Sequence, residues 1–145
     1  MANYYMIITT REDYTKDVEN AFACAGFPKR NRRSVKKMEI DDRIIYYVSK
    51  VSKFCAAVKV IGEPYVEFKQ IWNDPIDLWP YRIKTEPIVF KKTYPNGVYI
   101  KDIWDNLDFI SNKNKWGSQV MGSFRHISEH DYHIIEEALL NTEEE

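Results

Sequence analysis

The chain has few of the residues that build the common nucleotide-binding and thiol motifs. Its 145 residues include five glycines and two cysteines. No G-x-x-x-x-G-K phosphate loop and no G-x-G-x-x-G fingerprint occurs in the sequence, and Cys24 and Cys55 form no C-x-x-C pair. We therefore expect reduced thiols, which are typical of a cytoplasmic protein, and we expect neither type of glycine-rich phosphate site.

Long apolar runs and a large excess of one charge are also missing. No stretch approaches the ~18 residues of a membrane helix, and the start, Met1 to Tyr4, lacks the pattern of a signal peptide. The formal net charge of −1 excludes a globally basic nucleic-acid-binding protein. These features predict a cytoplasmic protein with no membrane partner, in which any nucleic-acid-binding surface is a local patch.

The sequence contains no recognisable catalytic or metal-binding constellation. His126, His130 and His133 are close in sequence, but Ser128 is predicted to cap a helix that begins after His126, so the three rings do not share one helix. No G-x-S-x-G turn marks a nucleophilic serine. We predict no metal, no cofactor and no catalytic residue, although the residues alone leave an enzyme open.

Strand patterns dominate the middle of the chain and helix patterns flank them. We predict strands at residues 4–10, 43–48, 53–61, 65–71 and from 81 past Pro87, where a bulge or sheet edge is expected. Thr10 is predicted to cap a helix that ends at Gly26. Further helices are expected at residues 101–108 and 129–140, before a frayed acidic end at 141–145. This order predicts a single α+β domain over residues 1–145, with a curved mixed sheet or small barrel of about five to six strands.

The most distinctive stretch is Gly26–Lys37, which holds six of the 21 basic residues and no acid. Gly26 is a helix terminator, and Pro28 restricts Phe27 to an extended conformation. Two interpretations remain open. An aromatic side chain is presented beside a phosphate-binding surface, or Phe27 is buried in the core beneath a solvated basic loop.

A tryptophan stands at the predicted entry to the strand that begins near residue 81. Pro80 restricts the conformation of Trp79, so its ring is fixed either as the wall of a pocket or as a rim residue that covers the core. The same two interpretations apply to Trp72, Trp104 and Trp116.

The order of several motifs resembles the EVE domain, a PUA-like fold related to the YTH domain. The segments that carry the resemblance are Tyr4–Arg11, Gly26–Arg30, Pro80–Lys84 with Glu86-Pro87, Phe109–Lys113 with Trp116, and finally Gly122, Arg125, Ile127 and Asp131-Tyr132. The match covers nearly the whole chain. One departure is Ile40-Asp41-Asp42, where the family usually has a Pro-Gly-Asp-like turn.

The resemblance implies a PUA-like curved barrel with a pocket for a flipped, often modified, base. By analogy with YTH domains, Phe27 and Trp79 are its two aromatic walls, with Phe27 in the place of a tryptophan. Polar groups that read the base edge are expected at Thr9, Thr10 and Arg11. The resemblance further places Phe54 at the floor of the pocket, and Pro28 and Arg82 complete the predicted base-binding site.

We predict a non-catalytic domain that binds RNA or DNA, stacks a base between aromatic walls and holds the phosphates by charge. The expected phosphate-binding residues are Lys29, Arg30, Arg32, Arg33 and Lys36. Secondary candidates for nucleic-acid contact are Asn112, Lys113 and Trp116. Two alternatives stay open: an enzyme that acts on small molecules or nucleosides, and a protein-interaction module that uses the basic loop. A monomer is expected.

Overall fold

A computed structural model describes residues 2–142 of the chain. The expected acidic end therefore lies, from residue 143 onward, outside the described residues. The strands are β1 (Tyr4–Thr9), β2 (Cys24–Phe27), β3 (Arg43–Val48), β4 (Lys53–Val66), β5 (Tyr81–Phe90), β6 (Val98–Tyr99) and β7 (Phe124–His126). The α-helices are α1 (Arg11–Glu19), α2 (Arg32–Lys36) and α3 (Glu129–Asn141), and short 3₁₀ turns lie between them. None of the helices in residues 2–142 is long and apolar enough to cross a membrane.

Six strands form one continuous path in the order β2-β5-β4-β3-β1-β7, and the short β6 pairs with β4 beside that path. β1 and β3 run parallel, and the other pairs are antiparallel. The sheet curls into a mixed half-barrel with helices packed around it. This confirms the predicted α+β class and the curved sheet.

Each face of the sheet carries its own apolar cluster, because successive side chains of a strand point to opposite faces. Ile7 and Ile44 belong to the inner cluster, which also contains Tyr14 of α1 and Val35 of α2. The outer cluster contains the alternate positions of the same strands, such as Ile8 and Ile45, and is covered by Tyr132, Ile135 and Leu139 of α3.

The two end strands of the path meet across the open side of the half-barrel. Phe27 of β2 and Phe124 of β7 contact each other edge to face, with ring centroids 5.4 Å apart. Just beyond these strands, Arg30 Nη2 donates a hydrogen bond to Ser123 Oγ at 3.1 Å. The basic segment that follows β2 is thereby fixed against the segment that precedes β7.

The first helix ends much earlier than the sequence predicts. α1 stops at Glu19, and Ala21 and Phe22 both have positive φ, at 55° and 52°. Two successive left-handed residues cannot continue a right-handed helix. The prediction that the helix reaches Gly26 was therefore wrong, since Gly26 lies in β2 opposite Arg82 of β5.

Other boundaries follow the sequence more closely. β4 runs without interruption through Gly62-Glu63-Pro64, although its pairing register with β5 shifts there, so the break expected between residues 61 and 65 is absent. The strand predicted at residues 65–71 was wrong beyond Val66, where β4 ends. The predicted irregularity at Pro87 is confirmed, because Val58 pairs with Pro87 while the neighbouring Ala57 pairs with Val89. The last helix is also confirmed, with the Ser128 hydroxyl accepting from Asp131 N.

Two further segments differ from the predictions. The helix expected at residues 101–108 consists of two 3₁₀ turns, Ile100–Asp102 and Trp104–Asn106. The polar run at residues 111–115 predicts a loop, and the structure instead has an irregular 3₁₀ segment, Lys113–Val120, that begins within this run. Both are too short or too kinked to show the regular apolar spacing of an α-helix.

Candidate functional site

One narrow cavity brings together residues from five separate parts of the chain. It lies where β1, helix α1, strand β2, strand β3 and the connection between β4 and β5 meet. Its lining residues are Ile7, Thr9, Asp17, Gly26, Tyr46, Trp72 and Trp79. Two of the four tryptophans and a buried carboxylate therefore share a single site.

Arg82, which is fully buried, holds both ends of the β4–β5 connection. Its guanidinium forms a salt bridge to Glu67 at 3.1 Å and donates to the Lys69 carbonyl at the start of the connection. It also donates to the Leu78 carbonyl at 3.1 Å and to the Trp79 carbonyl at 3.2 Å, near the end. Because these acceptors occupy the guanidinium, we assign Arg82 a structural role in this site.

The middle of the connection is fixed to helix α1 by two carboxylates. The indole Nε1 of Trp72 donates to Asp17 Oδ1 at 2.9 Å, and the backbone N–H of Asn73 donates to Asp13 Oδ1 at 2.8 Å. The guanidinium of Arg82 lies 5.3 Å from the centre of the Trp72 ring, in the range of a cation–π contact. These contacts bury Trp72 to 5% exposure.

The Trp72 ring fills most of the cavity. It lies against the backbone of Gly26, where any added Cβ would come within 2.3 Å of the ring, so glycine is needed for this packing. The ring centroids of Trp72 and Trp79 are 6.0 Å apart with 34° between their planes. About 10 Å³ of free space remains, which is near the minimum for one water molecule and too small for a nucleobase.

The cavity contains two unusual polar groups. The pKa of Asp17 is raised to about 8, chiefly by burial and also by nearby Asp13, while the hydrogen bond from Trp72 opposes the shift. Asp17 therefore keeps its proton at neutral pH. Tyr46 is 2% exposed, burial raises its pKa well above the ordinary value, and its hydroxyl has no hydrogen-bond partner among residues 2–142.

Trp79 is held rigidly at the mouth of the site. It has φ of +51°, in the left-handed region that a bulky residue rarely adopts. Its N–H donates to Asp77 Oδ1 at 3.1 Å, and its carbonyl accepts from Arg82. The backbone of Trp79 is therefore held on both sides, and its half-buried indole forms one wall of the cavity.

A basic surface begins directly after β2, the strand that contributes Gly26 to the cavity. It consists of the 3₁₀ turn Lys29–Asn31 and helix α2. Its exposed or half-buried cations are Lys29, Arg30, Arg32, Arg33, Lys36 and Lys37. Within residues 2–142, none of the six forms an ion pair with a carboxylate. These charges are therefore available to an anionic ligand.

The structure brings only some of the residues predicted for the base-binding site to this cavity. Thr9 and Trp79 line it. Phe27 is 1% exposed and contacts Phe124. It therefore lies in the core, as the second of the two interpretations of the sequence predicts. Phe54 lies in the outer apolar cluster, on the face of the sheet opposite the cavity, because its position in β4 is out of phase with the inner face.

The remaining predicted residues have other surroundings. The Thr10 hydroxyl caps α1 by accepting from Asp13 N at 3.1 Å, and Arg11 is exposed on the first turn. Pro28 is buried at the end of β2, where it precedes the basic surface. None of these three side chains lines the cavity among the described residues.

The secondary candidates form a separate cluster against the outer face. The rings of Trp104 and Trp116 meet edge to face at 6.0 Å, and Lys113 pairs with Asp105. Asn112 is engaged locally, since its side chain accepts from Asn114 N at 3.0 Å. Trp116 packs with the outer cluster, whereas Trp79 lies over the inner face.

Sequence reasoning missed Asp17 and Tyr46 and left the role of Trp72 open. One signal was present, because Asp13 and Asp17 are four residues apart and share a helix face with Tyr14 and Val18. Two acids on the buried side of a helix indicate that polar partners lie opposite. No local pattern identified Trp72 as that partner, since 55 residues separate it from Asp17.

The three histidines do not share one helix, because His126 lies on β7 and α3 begins only after Ser128. The side chains of Asp108, His130 and Asp131 do approach one another within 4.8 Å. Both carboxylate oxygens of Asp131, however, already accept backbone N–H groups, from Asp108 at 2.7 Å and Phe109 at 3.0 Å. Asp131 therefore has a structural role, because it holds the backbone at Asp108 and Phe109.

The curled sheet places the chain in a known class of α+β proteins. It is similar in structure to the YTH domain of Zygosaccharomyces rouxii MRB1 in complex with N6-methyladenosine RNA, with a TM-score of 0.67 and 8% identity, covering 99% of this chain and 93% of that one. It is also similar to a hypothetical protein from Leishmania major, with a TM-score of 0.63 and 11% identity, covering 94% of both chains. At these identities the likeness shows a shared fold.

The sequence assigns the chain to a family within that class. The model of the EVE domain matches residues 3–138, so the chain belongs to the EVE domain family. A UPF0310 protein of Pyrococcus abyssi is 29% identical over 148 residues, covering 94% of this chain and 99% of that protein. The resemblance inferred from the sequence motifs is thereby confirmed.

Proposed function

We propose that this EVE domain binds single-stranded nucleic acid and takes one flipped base, preferably a modified one, against Trp79, where the cavity must open to admit it because its free space is smaller than a base. The observation that carries the proposal is the junction of two features at Gly26. An aromatic cavity with buried polar groups lies on one side, and a basic surface follows within three residues, whose cations form no ion pair with any carboxylate in residues 2–142.

The two features contribute different parts of the binding free energy. Stacking of a base on an aromatic side chain contributes ~1–3 kcal/mol, and flipping a base costs a few kcal/mol when it must leave a duplex. Phosphate contacts to the basic surface add affinity that depends on salt and not on sequence. A strand that is already single does not pay the cost of leaving a duplex. We therefore expect stacking and phosphate contacts to favour binding of a single strand.

The structural neighbours support the choice of a modified base. The Zygosaccharomyces rouxii YTH domain, which has the same fold, is in complex with RNA that contains N6-methyladenosine. A fixed indole at the mouth of a pocket is suited to a methylated base, because the added methyl group increases the apolar contact area with the ring. Strands of RNA and of DNA are both tested.

The first prediction concerns Trp79→Ala. We expect it to weaken binding of the preferred oligonucleotide by ~1–3 kcal/mol, because one stacking face is removed. Its effect on a plain strand should be much smaller, since that strand is held mainly by phosphate contacts. Fluorescence anisotropy with short RNA and DNA strands, with and without N6-methyladenine and methylated cytosine, measures both effects.

Trp104→Ala serves as the matched control, because it removes a half-buried tryptophan from the outer face. It should bind every strand as the parent does. If Trp79→Ala folds normally and also binds all strands as the parent does, the base is not bound at this cavity.

A further inference from the structure

The strongest unexplained feature of the cavity is that the protein's own side chain fills it. Trp72 is a flat bicyclic ring with one N–H, and it is held by a hydrogen bond from that N–H to Asp17 at 2.9 Å. Its neighbour Trp79 is already within the distance of an aromatic pair, so no third ring fits between them. The cavity therefore has the chemistry of a heterocycle site in which the heterocycle is Trp72.

We propose that Trp72 occupies the position of the ligand, and that the bound base is a nitrogen heterocycle that displaces Trp72 and takes over its hydrogen bond to Asp17. This inference rests on the proposed function and specifies the ligand class of the same site. Trp72 acts as a reversible occupant of the site, and Asp17 is the residue that selects a ligand with an N–H on its edge.

Tyr46 adds a second requirement for the ligand. Tyr46 lines the same cavity, and its buried hydroxyl has no partner within residues 2–142, so it offers an unused hydrogen-bond donor. A buried polar group without a partner is costly, and a ligand that supplies an acceptor removes this cost. The preferred edge therefore combines an N–H for Asp17 with a lone pair for Tyr46. An amino group next to a ring nitrogen, as in adenine and cytosine, has this combination.

The β4–β5 connection is built in a way that allows Trp72 to leave. Arg82 fixes its two ends, at Lys69 and at Leu78 and Trp79. The middle is tied to α1 only through the bonds that Asp17 and Asp13 accept, as far as residues 2–142 show. Residues 73–76 are exposed. The middle segment can therefore swing outward while the ends, including Trp79, stay in place.

The first experiment uses a cavity variant and two probes that differ in a single group. Indole has the N–H of the missing side chain, whereas indene has the same two-ring shape without it. We expect Trp72→Ala to bind indole, and to bind it at least tenfold more tightly than indene, because indene leaves Asp17 unpaired. The parent and Trp104→Ala should bind neither probe in calorimetric titrations.

A second pair of probes tests Tyr46. Trp72→Ala should prefer 4-aminopyrimidine to pyrimidine, and adding Tyr46→Phe should reduce binding of 4-aminopyrimidine severalfold while leaving indole binding unchanged. The proposal is overturned if folded Trp72→Ala binds indole no better than indene or no better than Trp104→Ala does.

Oligonucleotide binding separates this proposal from the proposed function. If Trp72 occupies the base site, Trp72→Ala should bind the preferred strand at least fivefold more tightly than the parent. If Trp72 is instead a wall of the base site, the same variant should bind more weakly, which contradicts the proposal. If neither protein binds any strand, the proposed function fails, while a preference for indole over indene still supports the heterocycle site.

The parent protein provides a measurement that does not depend on the folding of Trp72→Ala. Its Trp72 indole N–H is buried and hydrogen-bonded, so it should exchange slowly with solvent. A strand that binds in the cavity should remove this protection and shift the indole resonance, which Trp72→Phe identifies. Continued protection of Trp72 in the complex would show that the ring stays in place and would overturn the proposal.

Discussion

At the scale of single residues, Asp17 has a structural role, and we propose that it also recognises the ligand. Its carboxyl group is 3% exposed and faces the titratable groups of Asp13, Cys24 and Tyr46 as well as the indole of Trp72. Burial is the largest cause of its raised pKa. The folded protein therefore holds this proton over a pH range in which the unfolded chain releases it.

This difference predicts how stability depends on pH. The pKa of Asp17 is raised to about 8 in the folded state, so between about pH 4 and pH 8 the folded state binds one more proton than the unfolded state. The free energy of unfolding should fall as pH rises through this window, by at most about 1.4 kcal/mol per pH unit from this group. Asp17→Asn should remove this part of the slope.

Urea denaturation of parent and variant at several pH values between 5 and 8 measures the difference. The pKa values of Cys24 and Tyr46 are raised from values that already lie above this window, so neither group contributes to the slope. Asp13→Asn is the matched control, because it removes the second carboxylate that holds the β4–β5 connection and leaves Asp17 in place. Parallel pH curves for the parent and Asp17→Asn would contradict the prediction.

At the scale of elements, the turn Lys29–Asn31 and helix α2 form a basic unit. We expect its contribution to the binding free energy to be separate from that of the cavity. Neutralising Arg30, Arg32 and Arg33 together to glutamine should weaken every oligonucleotide by a similar factor. The slope of log K against log salt should flatten by about 2, since each phosphate contact on a single strand contributes roughly 0.7. The preference for a modified base should remain, because it arises at Trp79 and not at the phosphates.

Three exposed lysines elsewhere on the surface provide the control. A variant in which Lys50, Lys92 and Lys101 are replaced by glutamine removes the same charge. We expect its salt slope to stay within experimental error of the parent, measured by anisotropy between 50 and 300 mM salt. An equal change in slope for both triple variants would show that binding follows net charge and not the surface beside the cavity.

At the scale of the whole molecule, the half-barrel is closed by contacts between its end strands. Phe27 and Phe124 join β2 to β7, and Tyr5 of β1 stacks on Phe124 at 5.3 Å. Phe27→Ala should lower the free energy of unfolding by ~3–5 kcal/mol, as expected for loss of a buried phenyl ring. Below its unfolding temperature it should bind modified and plain strands with the same ratio as the parent.

A selective loss of binding to the modified strand, in a Phe27→Ala protein that remains folded, would instead support a direct contact between Phe27 and the base. Thermal unfolding and anisotropy on the same sample distinguish the two results. Tyr5→Leu is a suitable control, because it removes another ring that packs on Phe124, from a strand that also lines the inner face.

Local sequence determined the elements that have a clear pattern within a few residues, such as a helix cap, a regular apolar spacing or a β-prone run. The Ser128 cap and the apolar spacing of Tyr132, Ile135 and Leu139 specified α3, and the β-prone runs specified β1 and β3. The segregation of charge specified the basic surface, and motif order specified the family. Each of these signals lies within a stretch of about ten residues or in the order of such stretches.

Only the tertiary structure decided which aromatic side chain fills the cavity. The glycine–phenylalanine–proline run is compatible with a helix end and with a strand, and its pairing with β5 selects the strand, which buries Phe27 in the inner cluster. The place beside Trp79 then goes to Trp72, because Gly26 leaves space for its ring and Asp17, 55 residues away, accepts its N–H. Such long-range contacts have no local signature, since burial and pairing depend on how distant segments meet.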